Sequence, residues 1–133
     1  MGRRQTSGAE EHAAGRRRVL VVEDHGELRG AIREMLEGEG YAVEEAGDGL
    51  RALELMSSAG FDAAVVDVRL PGMDGFALLE QAARRGIVCP TVMISVIADA
   101  ESVRRARELG AVSLHAKPFE LERLLEDVRE AAG

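Results

Sequence analysis

From Arg18 to the C-terminus, short apolar runs alternate five times with stretches whose apolar residues recur at helical spacing. The runs predict strands near Val19–Asp24, Tyr41–Glu45, Asp62–Asp67, Thr91–Ser95 and Ser113–Ala116. The first, third and fourth are almost wholly apolar, as central parallel strands covered on both faces must be. The fifth sets Val112, Leu114 and Ala116 against Ser113 and His115, an alternation that suits an edge. Five helices are expected between and after them. Their core positions are Leu28, Ile32, Met35 and Leu36; then Leu50, Leu53 and Met56; then Phe76, Leu79 and Ala83. Val103, Ala106 and Leu109 follow, and finally Leu121, Leu124, Leu125 and Val128. Asp48, Asp74 and Asp99 fall at N-caps, and Gly38, Gly86 and Gly110 at C-terminal stops. Strict strand–helix alternation specifies a five-stranded doubly wound parallel sheet.

In such a sheet the C-terminal strand ends converge on one edge, where ligands bind. Here that edge collects Glu23 and Asp24 from the first strand, Asp67 from the third and Ser95 from the fourth, with Lys117 just after the fifth. Gathered carboxylates repel unless a proton or a divalent cation holds them, so the group suggests a hard-metal site of oxygen ligands. Taken singly each residue has a plainer reading: Asp24 a helix N-cap, Asp67 the start of a turn, Ser95 a strand terminus, Lys117 a solvated lysine.

Composition narrows the function classes. The chain has 133 residues, enough for one core, with 46% apolar and 31% charged residues. A formal net charge of -7 argues against direct nucleic-acid binding, and aromatics at 3% with no Trp supply no stacking platform. The single Cys89 excludes an internal disulfide and reads as a small core residue before a strand. No apolar run is long enough to cross a bilayer, so no membrane association and a cytoplasmic setting are expected. Residues 1–17 read as a disordered tail and 18–133 as the domain, with Arg16-Arg17-Arg18 a solvated run. His25 reads as a surface residue beside the acidic group.

The segment Val65-Val66-Asp67-Val68-Arg69-Leu70-Pro71-Gly72-Met73-Asp74-Gly75 resembles the phosphoacceptor segment of response-regulator receiver (CheY-like) domains. Val19-Leu-Val-Val-Glu-Asp24, Ala46-Gly-Asp-Gly49, Val92-Met-Ile-Ser95, Gly110-Ala111 and Lys117-Pro118-Phe119 match in the same order, over roughly residues 18 to 131. The resemblance implies a flavodoxin-like (βα)5 fold with strand order 2-1-3-4-5. It further implies that Asp67 accepts a phosphoryl group from a sensor histidine kinase or a histidine phosphotransfer protein. Mg²⁺ would be held by Glu23, Asp24, Asp67 and the backbone carbonyl of Arg69. Ser95 would hydrogen-bond the phosphoryl group and Lys117 would neutralise it. A receiver of this kind catalyses only its own phosphorylation and dephosphorylation. It would signal to a downstream protein through the face of its fourth helix, fifth strand and fifth helix, with a homodimer as another occupant.

Several positions depart from the family pattern. Leu114 stands where receivers carry the Tyr or Phe that turns inward on activation, so the signal is expected to be read another way. Val96 stands where a small residue is usual, which narrows access to Asp67. Arg69 and Ile97 fill the two positions that tune phosphoryl lifetime, and an apolar Ile97 cannot hold an attacking water, so slow hydrolysis is expected. Val112-Ser113 replace two acidic residues of the dimerising face in receivers joined to winged-helix domains. Leu114 and Val96 keep a second reading open, a receiver-like interaction module acting without phosphorylation. A third, an enzyme or flavin binder on the same topology, is opposed by the carboxylates after the first strand and by Arg69, where an aspartate-nucleophile phosphatase has a second Asp. Residue 133 ends either a stand-alone receiver or a piece of a longer protein.

Overall fold

The computed structural model describes residues 15–133, so most of the expected tail lies outside the described residues. The elements run β1 (Arg18–Val22), α1 (Gly26–Gly38), β2 (Ala42–Ala46), α2 (Gly49–Ser58), β3 (Ala63–Asp67), α3 (Gly75–Arg84), β4 (Thr91–Ser95), α4 (Ala100–Glu108), β5 (Ser113–Ala116) and α5 (Leu121–Ala132). All strands are parallel, in the order β2-β1-β3-β4-β5. This is the doubly wound (βα)5 arrangement expected from the sequence.

Alternation of side chains along each strand divides the core in two. Leu20, Val22, Ala64, Val66 and Met93 face α2, α3 and α4. Val19, Val21, Ala63, Val65, Val92 and Ile94 face α1 and α5. Every residue of β1, β3 and β4 is buried, whereas β2 and β5 at the edges are mostly half-buried. Burying each Val, Leu or Ile contributes roughly 1.5–3 kcal/mol, so these central strands dominate stability and fix the sheet edge that carries the polar residues.

Asp48, Asp74 and Asp99 cap their helices by accepting from the N–H groups of Arg51, Ala77 and Ser102 at 2.8 Å each. Gly86 and Gly110 sit at positive φ after α3 and α4, as a C-terminal stop requires. Other expectations need correction. Gly38 is still helical, and the residue at positive φ after α1 is Gly40. Asp24 caps nothing; the N-cap position of α1 belongs to His25. The buried stripe of α3 is Phe76, Leu78 and Ala82, while Ala83 is exposed; the doublets Leu78-Leu79 and Ala82-Ala83 satisfy helical spacing in either phase. Leu50 is exposed, and Ala52 takes its place inside α2.

Arg18 is not part of a solvated run. Its guanidinium lies over the Phe61 ring, donates to the carbonyl of Gly60 at 2.9 Å and pairs with Glu44, so its long stem is buried while its charge is met. Cys89 is only partly buried as a residue, but burial of its thiol pushes its pKa up to about 12.

Candidate functional site

The strand order reverses direction between β1 and β3, and the crevice above their C-terminal ends is where the polar residues meet. β1 stops at Val22, where its apolar run ends and two residues before the expected strand end at Asp24. Glu23 still donates its N–H to the Ala46 carbonyl of β2 at 3.1 Å before the chain turns into α1. Glu23 is fully buried. Its Oε2 accepts the His25 N–H at 3.0 Å and its Oε1 accepts from Lys117 Nζ at 2.8 Å. Burial raises its pKa, and the bonds from Lys117 and His25 offset that only in part.

Asp67 is the last residue of β3 and is 2% exposed. Oδ1 accepts the Arg69 N–H at 3.1 Å, and Oδ2 accepts from Lys117 Nζ at 2.9 Å. One ammonium is thus shared between two buried carboxylates. Burial works to lower the Lys117 pKa, but its bonds to Glu23 and Asp67, with their charges, outweigh it and raise the value. Lys117 itself is anchored by donating its N–H to the Ser95 carbonyl at 2.8 Å, and a cis peptide bond joins it to Pro118.

Asp24 completes the acidic group on the exposed side. One oxygen from each of Glu23, Asp24 and Asp67 lies within 4.8 Å of the others. The Asp24 side chain makes no hydrogen bond among the described residues, and neither does the Arg69 carbonyl. Three carboxylates against one ammonium leave negative charge and oxygen lone pairs in excess, the donor set a hard divalent cation takes. The residues present therefore fit Mg²⁺.

Ser95 closes β4 and is fully buried. Its Oγ accepts the Ile97 N–H at 3.0 Å, which orients the hydroxyl while leaving its proton without an acceptor among the described residues. Val96 and Ile97, which follow Ser95 directly, are 61% and 44% exposed. Leu114 pairs with Met93 and packs into the core under α2, α3 and α4. Its neighbours Ser113 and His115 point to the other face, where both bond Asp127 Oδ2 of α5 at 2.7 Å.

Two features escape a reading of the sequence alone. Gly75 opens α3 directly against the end of β3, where an added Cβ would lie 2.5 Å from the Asp67 carbonyl oxygen. Arg29 of α1 reaches back to the Glu23 carbonyl at 2.8 Å. No helix among the described residues is long and apolar enough to cross a membrane.

Comparison with known proteins agrees with this geometry. The chain is 39% identical over 123 residues to the transcriptional regulatory protein PdtaR of Mycobacterium tuberculosis (strain ATCC 25618 / H37Rv), covering 91% of this chain and 59% of that relative. The chain therefore spans about three fifths of PdtaR. A CheY-like response regulator receiver domain protein from Methanospirillum hungatei JF-1 superposes with a TM-score of 0.83 at 30% identity, over 89% of this chain and 94% of that one. A response regulator from Burkholderia pseudomallei, solved with a phosphorylated aspartic acid, a calcium ion and citrate, superposes with a TM-score of 0.78 at 26% identity. The match covers 87% of this chain and 68% of that one. The family model for the response regulator receiver domain matches residues 19–129, and with the strand order and the crevice it places this chain among the receiver domains of two-component response regulators.

Proposed function

We propose that Asp67 accepts a phosphoryl group from a phosphohistidine on a sensor histidine kinase or a histidine phosphotransfer protein. The observation that carries this reading is the single Lys117 ammonium shared by buried Asp67 and Glu23 beside the unpaired Asp24 carboxylate. An Asp67 oxygen forms the new P–O bond as the P–N bond to the donor imidazole breaks, and the bonding pair leaves on the imidazole nitrogen. A carboxylate and a phosphoryl group repel each other, so the reaction needs positive charge placed in advance. Lys117 supplies part of it, and the free Ser95 hydroxyl supplies a donor for a phosphoryl oxygen. Bound Mg²⁺, held by Glu23, Asp24, Asp67 and the Arg69 carbonyl, supplies the remaining charge neutralisation. The Burkholderia pseudomallei relative, solved with a phosphorylated aspartic acid and a calcium ion, supports phosphorylation of an aspartate in this fold.

The output surface in this reading is the face of α4, β5 and α5, where Val112, just before β5, is an exposed apolar residue. It meets a downstream protein or a second copy of the chain. With Leu114 at the switch position, the signal passes by packing of β5 rather than by an inward-turning aromatic ring.

Intact mass after incubation with Mg²⁺ and acetyl phosphate tests the reading. Wild-type protein is expected to gain one phosphoryl group, while Asp67→Ala protein and a sample treated with a chelator gain none. The adduct is expected to last minutes or longer, because Ile97 offers no hydrogen bond to an attacking water; decay within seconds would overturn that part. No gain, either from acetyl phosphate or from a phosphorylated histidine partner, would favour an interaction module acting without phosphorylation.

A further inference from the structure

We infer that Arg29 is a positioning residue for the cation-binding carboxylates, acting through the backbone of Glu23 with Glu45 as its brace. The inference rests on the Mg²⁺-dependent reading above. Asp24 is the one member of the acidic group whose side chain has no hydrogen bond among the described residues, so its direction is set by the backbone that carries it. The backbone of Glu23, which carries Asp24 after it, is held at both its N–H and its carbonyl. The Glu23 N–H is tied to the Ala46 carbonyl at 3.1 Å, and the Glu23 carbonyl accepts from Arg29 Nη1 at 2.8 Å. The second bond carries a full charge on its donor, which makes it the stronger of the two kinds.

Arg29 is itself fixed. Its Nε donates to Glu45 Oε1 at 2.8 Å, and the other oxygen of that carboxylate accepts from Arg33 Nη1 at 2.7 Å. Glu45 lies on β2 opposite Val21 of β1, two residues before Glu23, so the brace is attached to the strand that leads into the site. The bond from Arg29 holds the Glu45 pKa below its ordinary value against the opposing effect of burial, and Arg33 adds to it. A planar guanidinium reaches two acceptors at a fixed angle, whereas an ammonium serves as a single point donor. The arrangement is thus specific to arginine. Groups that orient metal ligands commonly alter affinity by about 10–100-fold when removed.

Isothermal titration calorimetry of Mg²⁺ into the metal-free protein tests this directly, alongside the thermal midpoint of each variant without Mg²⁺. Arg29→Ala is expected to raise the Mg²⁺ dissociation constant about tenfold. Arg29→Lys should fall between it and wild type, and Glu45→Gln should show a smaller rise in the same direction. Phosphorylation by acetyl phosphate should need correspondingly more Mg²⁺ and approach the wild-type rate at saturation. Glu45→Gln keeps the shape of the side chain and so preserves the test if Arg29→Ala fails to fold. A purely structural role would lower the thermal midpoints while leaving the Mg²⁺ dissociation constant within twofold of wild type, and that result overturns the inference. If wild type itself takes up neither Mg²⁺ nor a phosphoryl group, the receiver chemistry fails first and this inference falls with it. Mg²⁺ binding that Asp24→Ala abolishes and Arg29→Ala leaves untouched would overturn the role of Arg29 alone.

Discussion

Lys117→Met is expected to slow phosphorylation of Asp67 by acetyl phosphate roughly a hundredfold to a thousandfold at saturating Mg²⁺, the effect of losing one prearranged charge-stabilising donor. It should also cost the Mg²⁺-free protein about 3 kcal/mol, because breaking a buried ion pair leaves its partner uncompensated. Two partners are affected here, since the one ammonium serves both Glu23 and Asp67, whose side chains are 1% and 3% exposed. Methionine keeps the unbranched length and packing of the stem, so the loss reports charge rather than a cavity. Added Mg²⁺ takes over as countercharge, and it should therefore raise the midpoint more in the variant than in wild type. Stopped-flow phosphorylation and thermal unfolding with and without Mg²⁺ check both parts. A variant as stable as wild type without Mg²⁺ would mean that the two carboxylates do not depend on this lysine.

How much of this was legible in the sequence depended on where each residue's partner lies. The central strands were legible because β1, β3 and β4 are covered on both faces and so are apolar from their second residue until they end. For the same reason the site was legible: Asp67 and Ser95 are the polar residues that close the buried strands β3 and β4 after apolar runs, and Lys117 follows β5 directly. Side-chain phase within helices was less so. In α3 adjacent Leu and Ala doublets fit two stripes, and only packing against Met93 and the neighbouring helices selects one. Arg18 was misread because charge predicts solvent, whereas a long stem over Phe61 and nearby acceptors make burial favourable. Arg29 left no signal because its key acceptor is a backbone carbonyl, which every residue type provides. The close approach at Gly75 was equally silent; the sequence marks a glycine but not what stands beside it.

That close approach leads to the second large effect. Gly75→Ala is expected to destabilise the protein by about 3 kcal/mol, the upper part of the range for forcing an added group into a packed region. The new Cβ would stand 2.5 Å from the Asp67 carbonyl oxygen, 2.9 Å from the Val68 Cα and 3.1 Å from the Met93 side chain. The first two are backbone atoms of β3 and the turn after it, so neither can swing aside. Relief requires α3 to back away from the strand, which strains the Gly75 N–H to Val68 carbonyl bond now 2.8 Å long. Phosphorylation should slow with it, because Asp67 is the residue displaced. Gly49→Ala should behave alike, since its Cβ would meet the Met73 carbonyl oxygen at 2.1 Å and drive the β2–α2 turn off the loop that follows Asp67. Gly30 supplies the opposite sign. It lies inside α1 with nothing within 4 Å of an added Cβ, so Gly30→Ala should stabilise by about 0.5–1 kcal/mol through helix propensity. Chemical denaturation of the three variants separates the cases. Losses at Gly75 and Gly49 no larger than about 1 kcal/mol would mean that α2 and α3 are free to retreat, and that these glycines do not set where the loop after Asp67 sits.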